Sequence, residues 1–264
     1  MSKALVMSYN IYYQDVAPRI EPITQLILRL SPDVLGLQEL SFSWVQPIRD
    51  FMAEHPYSGY GYGRLGATLF DEEVHDREAF SYLLWKTEKF ELMDSGHFWA
   101  SSTPDIPFSG EWSDGVVSTS PRCINWAKLK DRQTGEEMVF LNCHLDYSSD
   151  AVRTRSAELM VEQMKRFSDT GVPVLMMGDF NFKLESDGYS VITQSGFKDV
   201  RFAAKQTTDM HTYNDWGKKT DNLVSIDHFF VTPNVTAESF EVVDGRIDGK
   251  YISDHYPILT KISF

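Results

Sequence analysis

The stretch Val174-Leu175-Met176-Met177-Gly178-Asp179-Phe180-Asn181 decides the fold class of this chain. The apolar run from Val172 to Met177 is too short for a helix and predicts a β-strand. It ends in glycine, aspartate and asparagine, which are typical of turns. A tight turn after a strand exposes two polar side chains side by side, so Asp179 and Asn181 are candidate functional residues.

Five other places in the chain repeat this pattern of polar side chains directly after an apolar run. They are Asn10 after Ala4 to Tyr9, Gln38 and Glu39 after Val34 to Leu37, His144 and Asp146 after Met138 to Cys143, Asp227 and His228 after Ser225-Ile226, and Asp254 and His255 after Tyr251 to Ser253. Aligned strands bring residues that are distant in sequence to one edge of a sheet. Oxygen ligands suit magnesium, and histidines beside carboxylates bind phosphoryl groups or transfer protons. The pattern favours metal-assisted attack of water on phosphorus.

The rest of the chain alternates further strands with helices. Strand-like runs occur at Ser81 to Trp85, Ile124 to Leu129, Ile226 to Val231 and Pro257 to Ile262, and residues 127 to 141 predict a hairpin. Apolar residues at helical spacing predict helices over Val16 to Leu30 and Ala151 to Phe167. Residues 57 to 76 and 97 to 121 have no clear period and are predicted to be loops that wall a cleft. With no repeat or linker, residues 1 to 264 predict a single domain of two packed sheets flanked by helices.

Charge and composition exclude some classes of function. The 264 residues carry a formal net charge of -13, which counts against tight nucleic-acid binding through phosphate neutralisation. A metal site made of carboxylates, or a local basic pocket for a small phosphate, remains compatible with that charge. Cys123 and Cys143 are predicted to be buried free thiols. Because the sequence shows neither a secretory signal nor a membrane span, we expect a cytoplasmic protein without a membrane or protein partner.

The six segments resemble, in chain order, the motifs of the endonuclease/exonuclease/phosphatase superfamily. They are Ser8-Tyr9-Asn10-Ile11, Leu37-Gln38-Glu39, Asn142-Cys143-His144-Leu145-Asp146, Gly178-Asp179-Phe180-Asn181, Ile226-Asp227-His228 and Ser253-Asp254-His255. The segment from Pro121 to Ala127, with Arg153 and Arg155 further on, is similar to a bacterial branch related to the deadenylase and nocturnin group. The resemblance implies a four-layer α/β sandwich, in which two stacked, mixed and largely antiparallel sheets are flanked by helices and the site lies at one edge.

The resemblance also implies a metal site and its ligands. Glu39 is expected to be the principal ligand of Mg²⁺, with Mn²⁺ as the alternative ion. Asn10 could supply its amide oxygen to the metal, or orient Glu39 or a water on the metal, and Asp254 completes the metal shell. Tyr12 stands where the DNA-repair endonucleases of the superfamily carry aspartate, which counts against an abasic endonuclease.

The catalytic roles follow from the same resemblance. Asp179 is expected to deprotonate the attacking water, and Asn181 to bind a nonbridging phosphate oxygen or the metal. Asp227 would orient His255, whose protonated ring stabilises charge on the phosphate oxygens, and His144 would be a second phosphate contact. Candidate substrate-binding residues are Arg122, Arg153, Asp146 and Tyr147; for the two arginines a surface ion pair is the alternative.

These expectations predict a phosphoesterase that acts on a small phosphorylated metabolite such as a sugar phosphate or a nucleotide. The acidic surface favours such a substrate over a long polymer. An exonuclease acting from the 3′ end of RNA, similar to the deadenylases, is the alternative. A third reading is a noncatalytic binding module with the same fold.

Overall fold

Two β-sheets stacked face to face form the centre of the molecule in the computed structural model, which describes residues 1–208, 210–218 and 224–264. The strands are β1 (Lys3–Asn10), β2 (Val34–Ser41), β3 (Tyr57–Tyr60), β4 (Ala79–Lys86), β5 (Phe90–Trp99), β6 (Cys123–Asp131), β7 (Glu137–His144), β8 (Val174–Asp179), β9 (Lys198–Asp199), β10 (Gln206–Thr207), β11 (Asp227–Val231), β12 (Thr236–Val242) and β13 (Ile258–Ser263). The helices are α1 (Ile20–Leu30), α2 (Phe42–Glu54), α3 (Asp150–Ser168), α4 (Asp187–Gln194) and α5 (Val200–Ala203).

The first sheet has seven strands in the order β10-β12-β13-β1-β2-β4-β3, and the second has six in the order β5-β6-β7-β8-β11-β9. Among the described strands, β1 with β2, β7 with β8, and β10 with β12 are parallel pairs. The other neighbours in each sheet are antiparallel. The expectation of mixed, largely antiparallel sheets is confirmed.

Side chains that alternate along each strand divide the core into layers. In β8, Leu175 and Met177 belong to the core between the sheets, whereas Val174 and Met176 pack with residues of α3. In β1, Val6 joins the core between the sheets, while neighbouring residues pack with α1 and α2. Because successive strand residues point to opposite faces, each sheet has a helix layer outside and the other sheet inside. This is the four-layer sandwich that the resemblance implied.

The elements that sequence patterns predicted overlap observed ones, and β6 and β7 form the predicted hairpin. The helix predicted from Val16 starts instead as a 3₁₀ turn at Ala17–Arg19, with α1 beginning at Ile20. Eight of the described elements were not predicted: α2, α4, α5, β3, β5, β9, β10 and β12. Strand β3 and the end of β5 lie in the segments 57 to 76 and 97 to 121, which were wrongly predicted to be loops throughout. Two of the eight show why the prediction failed. In α2 an interior proline, Pro47, normally disfavours a helix, and β5 carries an exposed run from Glu91 to Asp94 that breaks the apolar pattern of a strand.

Both cysteines are buried free thiols, as predicted. Within the described ranges, no helix is long and apolar enough to cross a bilayer.

Candidate active site

The predicted site residues meet at one edge of the two stacked sheets. Strands β1 and β2 run parallel, as do β7 and β8, so Asn10, Glu39, His144 and Asp179 lie at or near carboxyl ends. Strand β11 runs antiparallel to β8 and pairs Asp227 with Asp179, so Asp227 is the first residue of its strand. The segment with Asp254 and His255 likewise precedes antiparallel β13. Asp227 therefore begins its strand, and Asp254 and His255 precede theirs, whereas the sequence indicated that all three follow strands. The reversed strand direction brings them to the same edge.

Buried amide side chains join the two sheets at this edge. Asn10 Nδ2 donates hydrogen bonds to Glu39 Oε1 at 3.1 Å and, across the sheets, to Asp179 Oδ2 at 3.0 Å. Deeper in the core, Gln38 Nε2 donates to Asn142 Oδ1 at 2.7 Å, also between sheets. Gln38 and Asn142 lie in two of the sequence motifs, but the sequence analysis assigned them no role. The signal that could have identified them is an amide side chain within an otherwise apolar strand. Together these bonds hold the metal and catalytic residues of the two sheets in register.

Asp179 is at the centre of the cluster of acids and histidines. Its Oδ2 atom lies 3.7 Å from His255 Nε2 and 3.5 Å from His144 Nε2. The other ring nitrogen of His255, Nδ1, is 2.9 Å from Asp227 Oδ2. Asn181 donates its backbone N–H to Asp179 Oδ1 at 2.9 Å. The structure thus brings together all five side chains that the sequence predicted to be catalytic.

Burial and mutual charge set the protonation of this cluster. Burial raises the pKa of Asp179 to about 7, with the nearby Asp227 adding to the shift and His255 opposing it. Burial disfavours the charged form of His255, but the carboxylates of Asp227 and Asp179 outweigh it and raise the pKa of the ring to about 10. Burial, with the charge of Arg122, lowers the pKa of His144 well below its usual value. At neutral pH one imidazole is a cation and the other is neutral.

Two carboxylates beside this cluster fit a divalent cation. Glu39 and Asp254 line the same cleft, and Glu39 Oε2 accepts a hydrogen bond from the backbone of Tyr13 at 3.1 Å. Burial raises the pKa of Asp254, and the charge of Glu39 raises it further against the opposing effect of His255. A hard cation would relieve this repulsion and prefers such oxygen ligands.

Asn10 is placed to orient the predicted ligands. Its amide oxygen accepts from the backbone of Tyr12 at 3.0 Å, while its nitrogen faces Glu39 and Asp179. A second group is also close enough to hold a metal ion. The ligand atoms of Asp179, Asp227 and His255 lie within 4.8 Å of one another. The donor sets therefore suit a divalent cation at this edge of the sheets.

Left-handed backbone conformations mark the residues that shape the site. Glu39 has φ of 60°, Asn181 of 53° and Tyr12 of 59°. Such values cost energy in residues other than glycine and are typical of functional sites. Glu39 lies where the pairing of β2 with β4 shifts register, between Leu37 and Leu40. This irregularity turns the carboxylate into the cleft.

An open cleft of about 1220 Å³ lies over the cluster, and both predicted loop segments contribute to its wall. Of the predicted substrate-binding residues, Arg122, Arg153 and Tyr147 line the cleft. Tyr147 is 67% exposed. Arg153 donates from Nη1 to the carbonyl of Asp146 at 2.8 Å and forms an ion pair with Asp150. Arg122 has no such partner among the described residues.

Asp146 is buried and does not line the cleft. Its carboxylate accepts hydrogen bonds from Ser118, Thr119, Ser148 and Ser149. Burial alone would raise its pKa, but these bonds outweigh burial and hold the pKa well below the usual value. The predicted contact with substrate therefore gives way to a structural role, in which Asp146 ties the loop before β6 to the loop before α3.

Sequence reasoning missed two residues that build the site. Arg64 lines the cleft. Arg19 is buried and donates to the carbonyls of Tyr12 and Ile252, which holds together the segments that follow Asn10 and precede Asp254. Neither arginine lies in a motif, so the sequence carried no signal for them. Tyr213, a loop aromatic that the sequence offered for stacking on a base or a sugar ring, also lines the cleft, and its ring meets the His255 ring edge to face at a centroid distance of 5.0 Å.

Comparison with known proteins agrees with this geometry. The sequence model of the Endonuclease/Exonuclease/phosphatase family matches residues 7–255. The chain belongs to the endonuclease/exonuclease/phosphatase family. Enzymes of this family are metal-dependent phosphoester hydrolases. The sequence matches no functionally curated protein.

Solved structures of family proteins share the fold over the full chain. An endonuclease/exonuclease/phosphatase from Bacteroides vulgatus is 26% identical with a TM-score of 0.88, and the match covers 100% of both chains. A mannosyl-6-phosphatase from Bacteroides thetaiotaomicron is 26% identical with a TM-score of 0.83, covering 98% of this chain and 99% of that one. The human Nocturnin catalytic domain is 17% identical with a TM-score of 0.75, covering 99% and 94%, and shows the fold alone.

Proposed function

We propose that this family member is a magnesium-dependent phosphoesterase that hydrolyses a small phosphorylated metabolite, a sugar phosphate or a nucleotide, in the cytoplasm. The observation that supports it most directly is the cluster at the floor of the cleft. There Asp179 lies beside the His255–Asp227 pair, and Glu39 lines the same floor.

Each residue of the cluster has a chemical role in this proposal. Asp179, with a pKa of about 7, accepts a proton from water as the water oxygen bonds to phosphorus. The P–O bond to the alcohol breaks, and the leaving alkoxide oxygen takes a proton from solvent water in the open cleft. The His255 cation, His144 and Asn181 stabilise the charge on the nonbridging oxygens. A divalent ion held by Glu39 and Asp254 would polarise the phosphate.

The overall charge and one relative support a small substrate. The cleft volume of about 1220 Å³ is above the range of roughly 300–1,000 Å³ found for small-molecule sites, so the cleft accommodates a small substrate with space to spare. The net charge of -13 repels a long polyanion. The Bacteroides thetaiotaomicron relative, named a mannosyl-6-phosphatase, supports a sugar phosphate in particular.

A 3′-end exoribonuclease is the second candidate. The observation in its favour is a set of tyrosines on the cleft wall, Tyr12, Tyr13, Tyr147 and Tyr213. Tyrosine rings stack on unpaired bases, and such stacking does not depend on sequence.

Phosphate release from a panel of compounds tests the proposal. The panel contains sugar phosphates, nucleotides and a 20-nucleotide RNA, each with Mg²⁺, with Mn²⁺ and with chelator. We expect phosphate release from at least one small compound, its loss with chelator, and its loss in Glu39→Gln. The exposed Glu162→Gln on α3 is the matched control and should retain activity. Shortening of the RNA without release from small compounds would favour the exonuclease, and release from nothing would favour a binding module.

A further inference from the structure

Arg122 is a buried cation without a protein partner. Arg122 is 7% exposed, and its Nε atom is buried and makes no hydrogen bond. Within the described part of the chain, its guanidinium forms neither an ion pair nor a hydrogen bond. A buried, unpaired guanidinium is costly, because its lost hydration is not replaced. The five N–H groups of arginine match carboxylate and phosphate oxygens, so an anionic ligand is the natural replacement.

A second arginine stands beside the first. Arg64 makes one side-chain hydrogen bond, from Nη1 to Ser120 Oγ at 2.7 Å. Each arginine also lines the main cleft. Burial lowers the pKa of Arg122, and the charge of Arg64 lowers it further, so the two cations repel each other. Two like charges held together in a protein of net charge -13 indicate a site built for an anion.

The place of this pair relative to the reaction centre is defined by a small recess of about 10 Å³ that opens between them. Arg64, Arg122, Glu39 and His144 all line this recess. Asp179 and His255, which act on the scissile phosphate in the proposed function, line the main cleft but not the recess. The recess holds about one water-sized atom, so a group bound here lies in the cleft with one oxygen directed inward. The arginine pair therefore borders the reaction centre on the side of Glu39 and His144.

The nearby carboxylates do not serve as partners of the pair. Asp146 is saturated by hydrogen bonds from two loops. Asp179 is engaged by Asn10 and Asn181. Glu39 is bonded to Asn10 and Tyr13. Glu78, whose charge acts on Arg64, accepts hydrogen bonds from the backbone of Leu65 and Ala67. Among the described residues none of these four carboxylates forms an ion pair with either arginine, so the site has room for an anion from outside the protein.

We propose that Arg122 and Arg64 bind a second acidic group of the substrate, so that the preferred substrate is a phosphorylated compound that also carries a carboxylate or another phosphate. This inference rests on the proposed function and narrows its substrate class. A neutral sugar phosphate would leave the arginine pair without a partner and would be a poorer substrate.

A matched pair of compounds tests this inference. 6-Phosphogluconate and glucitol 6-phosphate differ only in a carboxylate that replaces a hydroxymethyl group. We expect kcat/KM to be at least about tenfold higher for 6-phosphogluconate, because a charged bidentate contact contributes more than about 1.4 kcal/mol. In Arg122→Met and in Arg64→Met this preference should disappear, measured as the ratio of kcat/KM for the two compounds within each variant, so that a change in activity common to both compounds does not count. Arg155→Met, which removes an exposed arginine paired with Asp114, is the control and should keep the preference.

Fructose 1,6-bisphosphate and fructose 6-phosphate form a second pair, in which phosphate is the additional acid. An equal loss of activity on both members of each pair in Arg122→Met would show that Arg122 contacts the scissile phosphate, and would overturn the inference. No preference in the wild-type enzyme for the acidic member of either pair would overturn it too. Arg64 is less buried than Arg122, so Arg64→Met retains the test if Arg122→Met does not fold.

Direct binding separates failure of this inference from failure of the proposed function. Calorimetric titration of 6-phosphogluconate into the chelator-treated protein measures binding of the compound at the arginine pair in the absence of catalysis. Binding that is lost in Arg64→Met, with no phosphate released from any compound, would support the anion site and refute the phosphoesterase. Phosphate release from any compound, together with equal binding of 6-phosphogluconate and glucitol 6-phosphate, would support the phosphoesterase and refute the anion site.

Discussion

Burial of the Asp179 carboxylate has two opposing consequences. It lowers the stability of the fold, and it raises the pKa of Asp179 to about 7, where the group can act as a general base at neutral pH. Asp179→Asn is expected to lower kcat by about 10²–10⁴-fold, the usual contribution of a general base. When the pKa of a carboxyl group is higher in the folded protein than in the unfolded protein, the free energy of unfolding decreases as the pH rises from the unfolded value, about 4, to the folded value, about 7. The same variant, without metal, should therefore unfold at a higher denaturant concentration than wild type at pH 8. Asp169→Asn, an exposed change at the end of α3, should alter neither quantity. A fully active Asp179→Asn would exclude the assigned base.

His255 owes its positive charge to Asp227. In the metal-free protein, Asp227→Asn should lower the pKa of His255 from about 10, because burial then acts without its main opponent. Because the pKa of His255 is higher in the folded than in the unfolded protein, its charge contributes its full share to the free energy of unfolding below about pH 6.5. This contribution is lost as the pH rises to about 10. The variant should thus lose most stability at pH 6 and least at pH 10. NMR titration of the ring carbons measures the pKa, and an unchanged value would show that Asp227 does not control the proton.

Residue roles could be predicted from the sequence only where a motif carried them. Glu39, Asp179 and His255 stand in ordered motifs, and the structure brings them to one edge. Arg64 and Arg19 lie in segments without a motif, and their effect depends on contacts across the fold that one sequence does not display. Asp146 shows that a motif position can also mislead. Its motif indicated a contact with substrate, but its complete burial and six hydrogen bonds give it a structural role.

At the scale of elements, the pairing of β7 with β8 depends on a glycine. Gly178 has φ of 145°, and a Cβ atom there would lie 2.0 Å from the carbonyl oxygen of Cys143. Gly178→Ala should lower the free energy of unfolding by more than about 3 kcal/mol, since neither backbone can move without breaking the ladder. Gly171→Ala is the control, because it also has positive φ, of 84°, but has nothing within 4 Å of the added atom. Its loss should be about 1 kcal/mol, and equal losses in chemical denaturation would refute the steric argument.

The loops that wall the cleft depend on the hydrogen bonds of Asp146. Asp146→Asn should lower the free energy of unfolding at pH 7 by about 2 kcal/mol or more, because an amide nitrogen cannot accept the bonds that the carboxylate accepts. The low folded pKa of Asp146 contributes stability above about pH 4 that is lost as pH falls. The difference between variant and wild type should therefore narrow from pH 4 to pH 2. Urea unfolding at several pH values measures it, and a constant difference would show that the charge of Asp146 is not involved.

Elements could be predicted where the apolar pattern was undisturbed, and not elsewhere. The runs in β1, β7 and β8 alternate between two buried faces, so they read as short continuous apolar segments. In β5, the exposed face between Glu91 and Ser95 obscures the strand, which exists because β6 pairs with it. Helix α2 forms despite Pro47 because Trp44, Val45 and Phe51 are buried against the first sheet. Tertiary packing overrode local preference in both elements.

For the whole molecule, the six motifs predicted the architecture because their order resembles that of the family to which the chain belongs, and the resemblance implied the four-layer sandwich. Which of the polar ends face each other across the two sheets could not be predicted. The hydrogen bonds that decide it, such as that of Asn10 to Asp179, join residues separated by 169 positions. Stacking of the sheets is set by the core between them, to which both contribute.

Net charge separates the two candidate substrates at this same scale. A protein that binds RNA by neutralising 6–10 phosphates loses about 10³–10⁵-fold in affinity between 50 and 200 mM salt. With a net charge of -13, long-range repulsion opposes RNA, and salt screens that repulsion. We expect kcat/KM for a 20-nucleotide RNA to be at least about 100-fold below that for the best small substrate, and not to fall with salt over this range. A dinucleotide, which has the same bond and little charge, is the control. A steep fall with salt for the RNA and not for the dinucleotide would show a polymer-binding groove and would favour the exoribonuclease.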